Sequence, residues 1–70
     1  MLGTAIQTKR TERNISRAQL AKQVGVSSTY IYQLEKGLRD VPSALVIVRL
    51  AQALDMEVTQ LLALVVPTAA

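Results

Sequence analysis

Apolar residues recur along this chain at helical spacing in five stretches, each bounded by residues that start or stop helices. In the first, Leu2, Ala5, Ile6 and Lys9 follow one period, and Lys9, Arg10 and Arg13 crowd its end, where cations favour the helix dipole. It stops near Asn14. Ser16 with Gln19 forms the Ser-x-x-Gln pattern of a capping box, and Leu20, Ala21 and Val24 supply the inward face of a short second helix that Gly25 ends. Ser27 is placed to cap a third helix that runs to about Lys36, where Gly37 closes it. After a loop from Leu38 to Val41, Pro42 and Ser43 open a fourth helix with Ile47, Leu50, Ala51 and Leu54 on one side, stopping at Asp55. A fifth begins near Glu57 and turns Val58, Leu61, Leu62 and Val65 inward until Pro67. No Asn-Gly or Asp-Gly hairpin signal and no sustained alternation argues for strands. The prediction is an all-α, compact five-helix domain over residues 1–66, with a frayed tail at 67–70 and no internal repeat or linker.

The stretch from Asn14 to Gly37 has the form short helix, glycine-containing turn, short helix. In that geometry the first helix crosses a phosphate backbone while the next enters the major groove. Ala21 is small enough for close helix approach, and Val26, Ile31 and Leu34 close the core beneath. Advancing the third helix by about 100° per residue turns Ile31, Leu34 and Ser27 inward. Thr29, Tyr32, Gln33 and Lys36 fall on the opposite side, with Ser28 at the edge. This outward stripe holds hydroxyls, an amide and a cation but no carboxylate, so it can read base edges without repelling phosphate. A merely solvated face is the alternative, and the turn before the helix favours readout. Arg10 follows inward Ile6 by four residues and Glu35 follows inward Ile31 by four. Both charges therefore face the core edge, where each is costly alone, and pairing them ties the first helix to the third. Arg10 is also expected to donate to a phosphate at the same edge.

Composition narrows the function classes. Seventy residues suit one small domain that buries only about 60% of its unfolded surface, so a partner subunit would help its stability. There is no cysteine and no histidine, which removes disulfides, thiolate metal sites and most nucleophilic or zinc-dependent catalysis. Asp55 and Glu57 have no companion acid or base, so no enzyme, metal or cofactor is predicted. No signal-peptide stretch or membrane span is present, and the predicted location is the cytoplasm. The net charge of +3 is uneven: residues 1–39 hold seven of the eight Lys/Arg against Glu12 and Glu35, and residues 40–70 hold Arg49 against Asp40, Asp55 and Glu57. One basic half suits a polyanion, although ordinary solvated charge gives the same balance.

Ser16 with Leu20-Ala21, Gly25-Val26-Ser27, Ile31 with Leu34-Glu35-x-Gly37, and Leu50-Ala51-x-Ala53-Leu54 together resemble the helix-turn-helix family of lambdoid phage repressors and Cro proteins. That family includes the xenobiotic-response-element-like bacterial regulators. The likeness spans about Ile6 to Leu62. It implies a lambda-repressor-like fold, a recognition helix in the major groove, a two-fold dimer on a palindromic operator, and a buried Arg-Glu pair at Arg10 and Glu35. The implied function is sequence-specific double-stranded DNA binding by a transcriptional repressor. Carried over by position, Ser28, Thr29 and Gln33 read bases, and Tyr32 joins them through a thymine methyl or else contacts a sugar. Arg17 makes a phosphate or outer-base contact, and Lys36 and Arg39, with Ser27 and Arg10, meet the backbone. Arg17 departs from the glutamine common at its site, Tyr32 is larger than usual, Asp55 stands where glycine often ends the fourth helix, and Glu57 where Ser or Thr often caps the fifth.

Arg13, Lys22 and Lys9 divide evenly between phosphate contact and surface charge, Tyr30 is predicted to pack against the second helix, and Arg49 lies off the DNA face. Apolar residues beyond the inward set remain at Leu45, Val48, Met56, Leu64 and Val66, more than one buried face needs. They predict a homodimer interface on the fourth and fifth helices; scattered surface apolar residues are the alternative. A competing function is protein binding, as an antitoxin or adaptor whose partner is a toxin or RNA polymerase. Any small-molecule control is expected from a separate polypeptide.

Overall fold

Local hydrogen bonds set most of the helix boundaries. The computed structural model describes residues 2–39 and 42–65, with Val65 by its backbone alone. Its helices are α1 (Leu2–Glu12), α2 (Arg17–Val24), α3 (Ser28–Glu35), α4 (Ala44–Ala53) and α5 (Val58–Val65), with no strand among the described residues. The Ser16 hydroxyl accepts from the Gln19 amide at 3.1 Å while the Gln19 side chain accepts from the Ser16 amide at 2.8 Å, a complete capping box for α2. Ser27 caps α3 by accepting from Tyr30 N at 3.0 Å, and Ser43 caps α4 by accepting from Val46 N at 3.3 Å. Each such cap is worth about 1 kcal/mol. At α5 the reciprocal half alone is present: Glu57 N donates to Gln60 Oε1 at 2.9 Å.

The C-terminal ends share one device. Asn14, Gly37 and Asp55 all adopt a left-handed backbone, with φ of 56°, 72° and 55°. Each is followed by an amide that reaches back a full turn: Ile15 N to Arg10 O at 3.1 Å, Leu38 N to Gln33 O at 2.8 Å, and Met56 N to Ala51 O at 2.8 Å. Gly25, at φ 87°, turns the chain between α2 and α3. Asp55 thus makes the turn for which glycine is the cheaper residue, at a cost of about 1–2 kcal/mol for a side chain in that region.

The core draws on every helix: Ile6, Leu20, Val24, Ile31, Ile47, Leu50, Leu54 and Leu61 are fully buried. α2 packs on both α3 and α4, α1 on α3, and α5 on α4 and α1. The approach of α1 to α3 depends on Gly3, where a Cβ would lie 2.5 Å from the carbonyl oxygens of both Leu34 and Glu35. Two predicted inward positions are corrected. Leu62 is 39% exposed, because α5 is short and turns the Val58–Leu61 stripe to the core, leaving the residue 100° further round at the edge. Ser27 is also exposed, since it caps α3 from outside the helix rather than following its period. The inward placement of the Val65 side chain, Val66 and the tail at 67–70 lie outside the described residues.

Candidate nucleic-acid interface

α3 is held by Ile31 and Leu34, both buried, and this sets which residues face outward. Ser28, Thr29, Tyr32 and Lys36 are exposed and Gln33 is half-buried, so the stripe predicted from the helical period lies together on one side. Arg39 is exposed just beyond the helix, as is Leu38, an apolar residue that the sequence pattern does not single out.

The one carboxylate of α3 points the other way. Glu35 has no exposed side-chain surface and accepts from three donors: Arg10 Nε at 2.7 Å, Arg10 NH2 at 3.4 Å and Arg17 Nε at 2.8 Å. Arg10 donates its remaining nitrogen, NH1, to Ile15 O at 2.9 Å, and its side chain is 11% exposed. With all three nitrogens donating inside the chain, Arg10 ties α1 to α3 and to Ile15, and any donation to a phosphate would come from the N–H groups these bonds leave over. The sequence places Arg17 at a phosphate or outer-base contact and does not foresee a bond to Glu35. Arg17 is the second cation of a Glu35-centred trio, with 34% of its side chain exposed. A carboxylate between two guanidiniums is stabilised twice over, and the trio keeps a charge of +1.

Aromatic rings organise the other cations. The Arg17 guanidinium lies 5.1 Å from the centroid of the Tyr32 ring, and Lys36 Nζ lies 5.8 Å from the same ring. Arg39 stacks 4.9 Å from the Tyr30 ring, while half-buried Tyr30 packs against the core. Such contacts restrict long side chains that would otherwise sample many rotamers. Beside Tyr32 a notch of about 350 Å³, open to solvent, is lined by Arg17, Ala18, Ser28, Thr29 and Tyr32.

The remaining charges sort by surroundings. Arg49 donates from NH1 to Val24 O at 3.3 Å, closing the end of α2 from α4. Arg13 approaches Asp55 at 3.9 Å and Lys9 approaches Glu12 at 3.8 Å, both on the surface, where such pairs contribute little. Lys22 is exposed. On the far side, Leu45 and Leu64 are exposed and Leu62 joins them. Val48 is half-buried, and Met56 is half-buried against the core and so turns only part of its surface outward. Val66 lies outside the described residues.

Comparison with known proteins agrees with this geometry. The family model described as helix-turn-helix matches residues 6–61. An uncharacterized HTH-type transcriptional regulator of Mycobacterium tuberculosis is 44% identical over 52 residues, which is 74% of this chain and 36% of that protein, so the chain spans about a third of this relative's length. Two solved structures are similar throughout. The biofilm master regulator SinR in complex with DNA has a TM-score of 0.81 at 32% identity, covering 89% of this chain and 98% of that one; a SinR of Bacillus subtilis is among the sequence relatives. The restriction-modification controller protein C.AhdI from Aeromonas hydrophila has a TM-score of 0.79 at 33% identity, covering 86% and 89%. With five helices, a capped turn between α2 and α3, and a family match over most of its length, the chain belongs to the helix-turn-helix family.

Proposed function

We propose that this chain is a sequence-specific DNA-binding transcriptional regulator that represses by placing α3 in the major groove of a palindromic operator. The observation that carries the reading is the division of α3: its carboxylate is buried and neutralised, while Ser28, Thr29, Tyr32, Gln33 and Lys36 make up a side free of negative charge. Hydroxyls and an amide discriminate base edges, and Lys36 and Arg39 hold the phosphate backbone. Arg17 contributes at a phosphate or an outer base, and Ser27 stands at the N-terminal end of α3 near the same surface. Exposed Leu45, Leu62 and Leu64 with half-buried Val48 support a homodimer through α4 and α5. A two-fold axis there would set the two α3 helices about 34 Å apart, one turn of B-DNA. The relatives' names and the SinR complex with DNA point the same way.

Selection of bound sequences from random duplex DNA tests the proposal. The expected result is an enriched inverted repeat whose half-sites lie about one helical turn apart. Enrichment of no sequence over the starting pool would contradict it.

A further inference from the structure

The notch between α2 and α3 has a chemical character of its own. Its wall combines the Ala18 methyl and the Tyr32 ring with the hydroxyls of Ser28 and Thr29, and Arg17 stands on it as the charged member. Arg17 is anchored through Nε to Glu35 and lies against the Tyr32 ring, while its two terminal nitrogens make no hydrogen bond among the described residues. A guanidinium held in this way loses reach but gains direction. Arg10 offsets the charge of Glu35, so the trio keeps one positive charge, and the Nε bond to Glu35 fixes the direction in which Arg17 presents it. What remains is an oriented pair of N–H donors beside an apolar recess, a combination suited to a base edge more than to a diffuse anion.

Resting on the DNA-binding reading above, we infer that this notch reads a two-base step in the major groove, a 5-methylpyrimidine beside a guanine. The thymine C5 methyl projects into the major groove and has no polar partner, so it is recognised by apolar contact, here with Ala18 and the Tyr32 ring. The guanine O6 and N7 are paired acceptors that match the terminal nitrogens of a guanidinium. The linked side chains of Glu35, Arg17 and Tyr32 present both features together. A methyl group on cytosine occupies the same position as that of thymine. The notch therefore also accepts 5-methylcytosine, which makes binding sensitive to cytosine methylation at that step.

DNA-side changes test this with the protein intact. In the duplex obtained by selection, each half-site should contain thymine next to guanine. Replacing that thymine by uracil, which removes only the methyl group, should weaken binding about fivefold, and 7-deazaguanine in place of the guanine should do so at least as strongly. A C·G pair in place of the T·A pair should bind weakly, and methylating its cytosine should restore most of the loss. Tyr32→Ala should abolish the response to the methyl group, and Arg17→Lys the response to 7-deazaguanine, in variants whose thermal melts show them folded. A selected site that lacks the step, or one whose affinity is unchanged by uracil or by 7-deazaguanine, would overturn the inference while leaving sequence-specific binding in place. Failure to select any site would overturn both.

Discussion

α2 and α3 turn hydroxyls, an amide and cations to solvent, whereas α4 and α5 turn leucines outward. Each pair of helices still gives one stripe to a shared core, through Leu20, Val24 and Ile31 on one side and Ile47, Leu50 and Leu61 on the other. Folding uses the inward stripes in the same way, and function belongs to the faces left over. The halves also differ in what they bury. The N-terminal half encloses a carboxylate with two guanidiniums, and the core residues of α4 and α5 are apolar. The geometry of the N-terminal half therefore depends on directional contacts that a single substitution can remove.

The largest effect is expected at that enclosed charge. Arg10→Met leaves Glu35 with Arg17 alone, and Glu35→Met leaves two guanidiniums without a carboxylate; each should cost about 3–5 kcal/mol, much of a small domain's stability. The double variant should lose far less than the sum, and additive losses in denaturant melts would mean that the residues do not interact. Gly3→Ala should follow, at about 1–3 kcal/mol, because the added methyl meets backbone carbonyls of α3 rather than a movable side chain. Its signature in urea melts is a lower midpoint, and an unchanged midpoint would show that α1 is free to move away.

In the apolar half, Leu45→Glu with Val48→Glu should convert a dimer to monomer with little change in the fold of each subunit. Sedimentation decides it: a monomeric wild type at micromolar concentration, or a variant that remains dimeric, would reject the interface. The smallest effect has the opposite sign. Asp55→Gly should stabilise by about 1 kcal/mol by relieving a left-handed backbone, even with the loss of the exposed Arg13 contact. A lower melting temperature would show that this contact outweighs the strain.

Features carried by residues close together along the chain are legible in the sequence alone. Ser16 with Gln19, Ser27, Ser43, Gly25 and Gly37 mark helix ends because capping bonds span three to five residues. The outward stripe of α3 follows from its period, since one helix face is fixed once Ile31 and Leu34 are buried. Arg17 is different. Its bond to Glu35 crosses 18 residues, and the geometry that makes Glu35 accessible to two arginines at once depends on how α1 and α2 meet α3. Matching inward acids to inward cations finds one partner and has no means of finding a second. Arg49 shows the same limit, because its bond to Val24 O is made between helices. Leu62 is misplaced by the helical period because the width of the buried stripe on α5 is set by its neighbours α4 and α1.

The most direct test of a DNA-reading α3 is the affinity of wild type, Gln33→Ala and Lys36→Ala for the selected duplex, its single-base variants and an unrelated duplex, each across a salt series. Gln33→Ala should lose discrimination at particular base pairs at a cost of about 1–3 kcal/mol. Lys36→Ala should weaken every duplex alike and reduce the salt slope by about one. If both variants bound the selected duplex with wild-type affinity, discrimination and salt slope, the outward face of α3 would not be the surface that reads DNA.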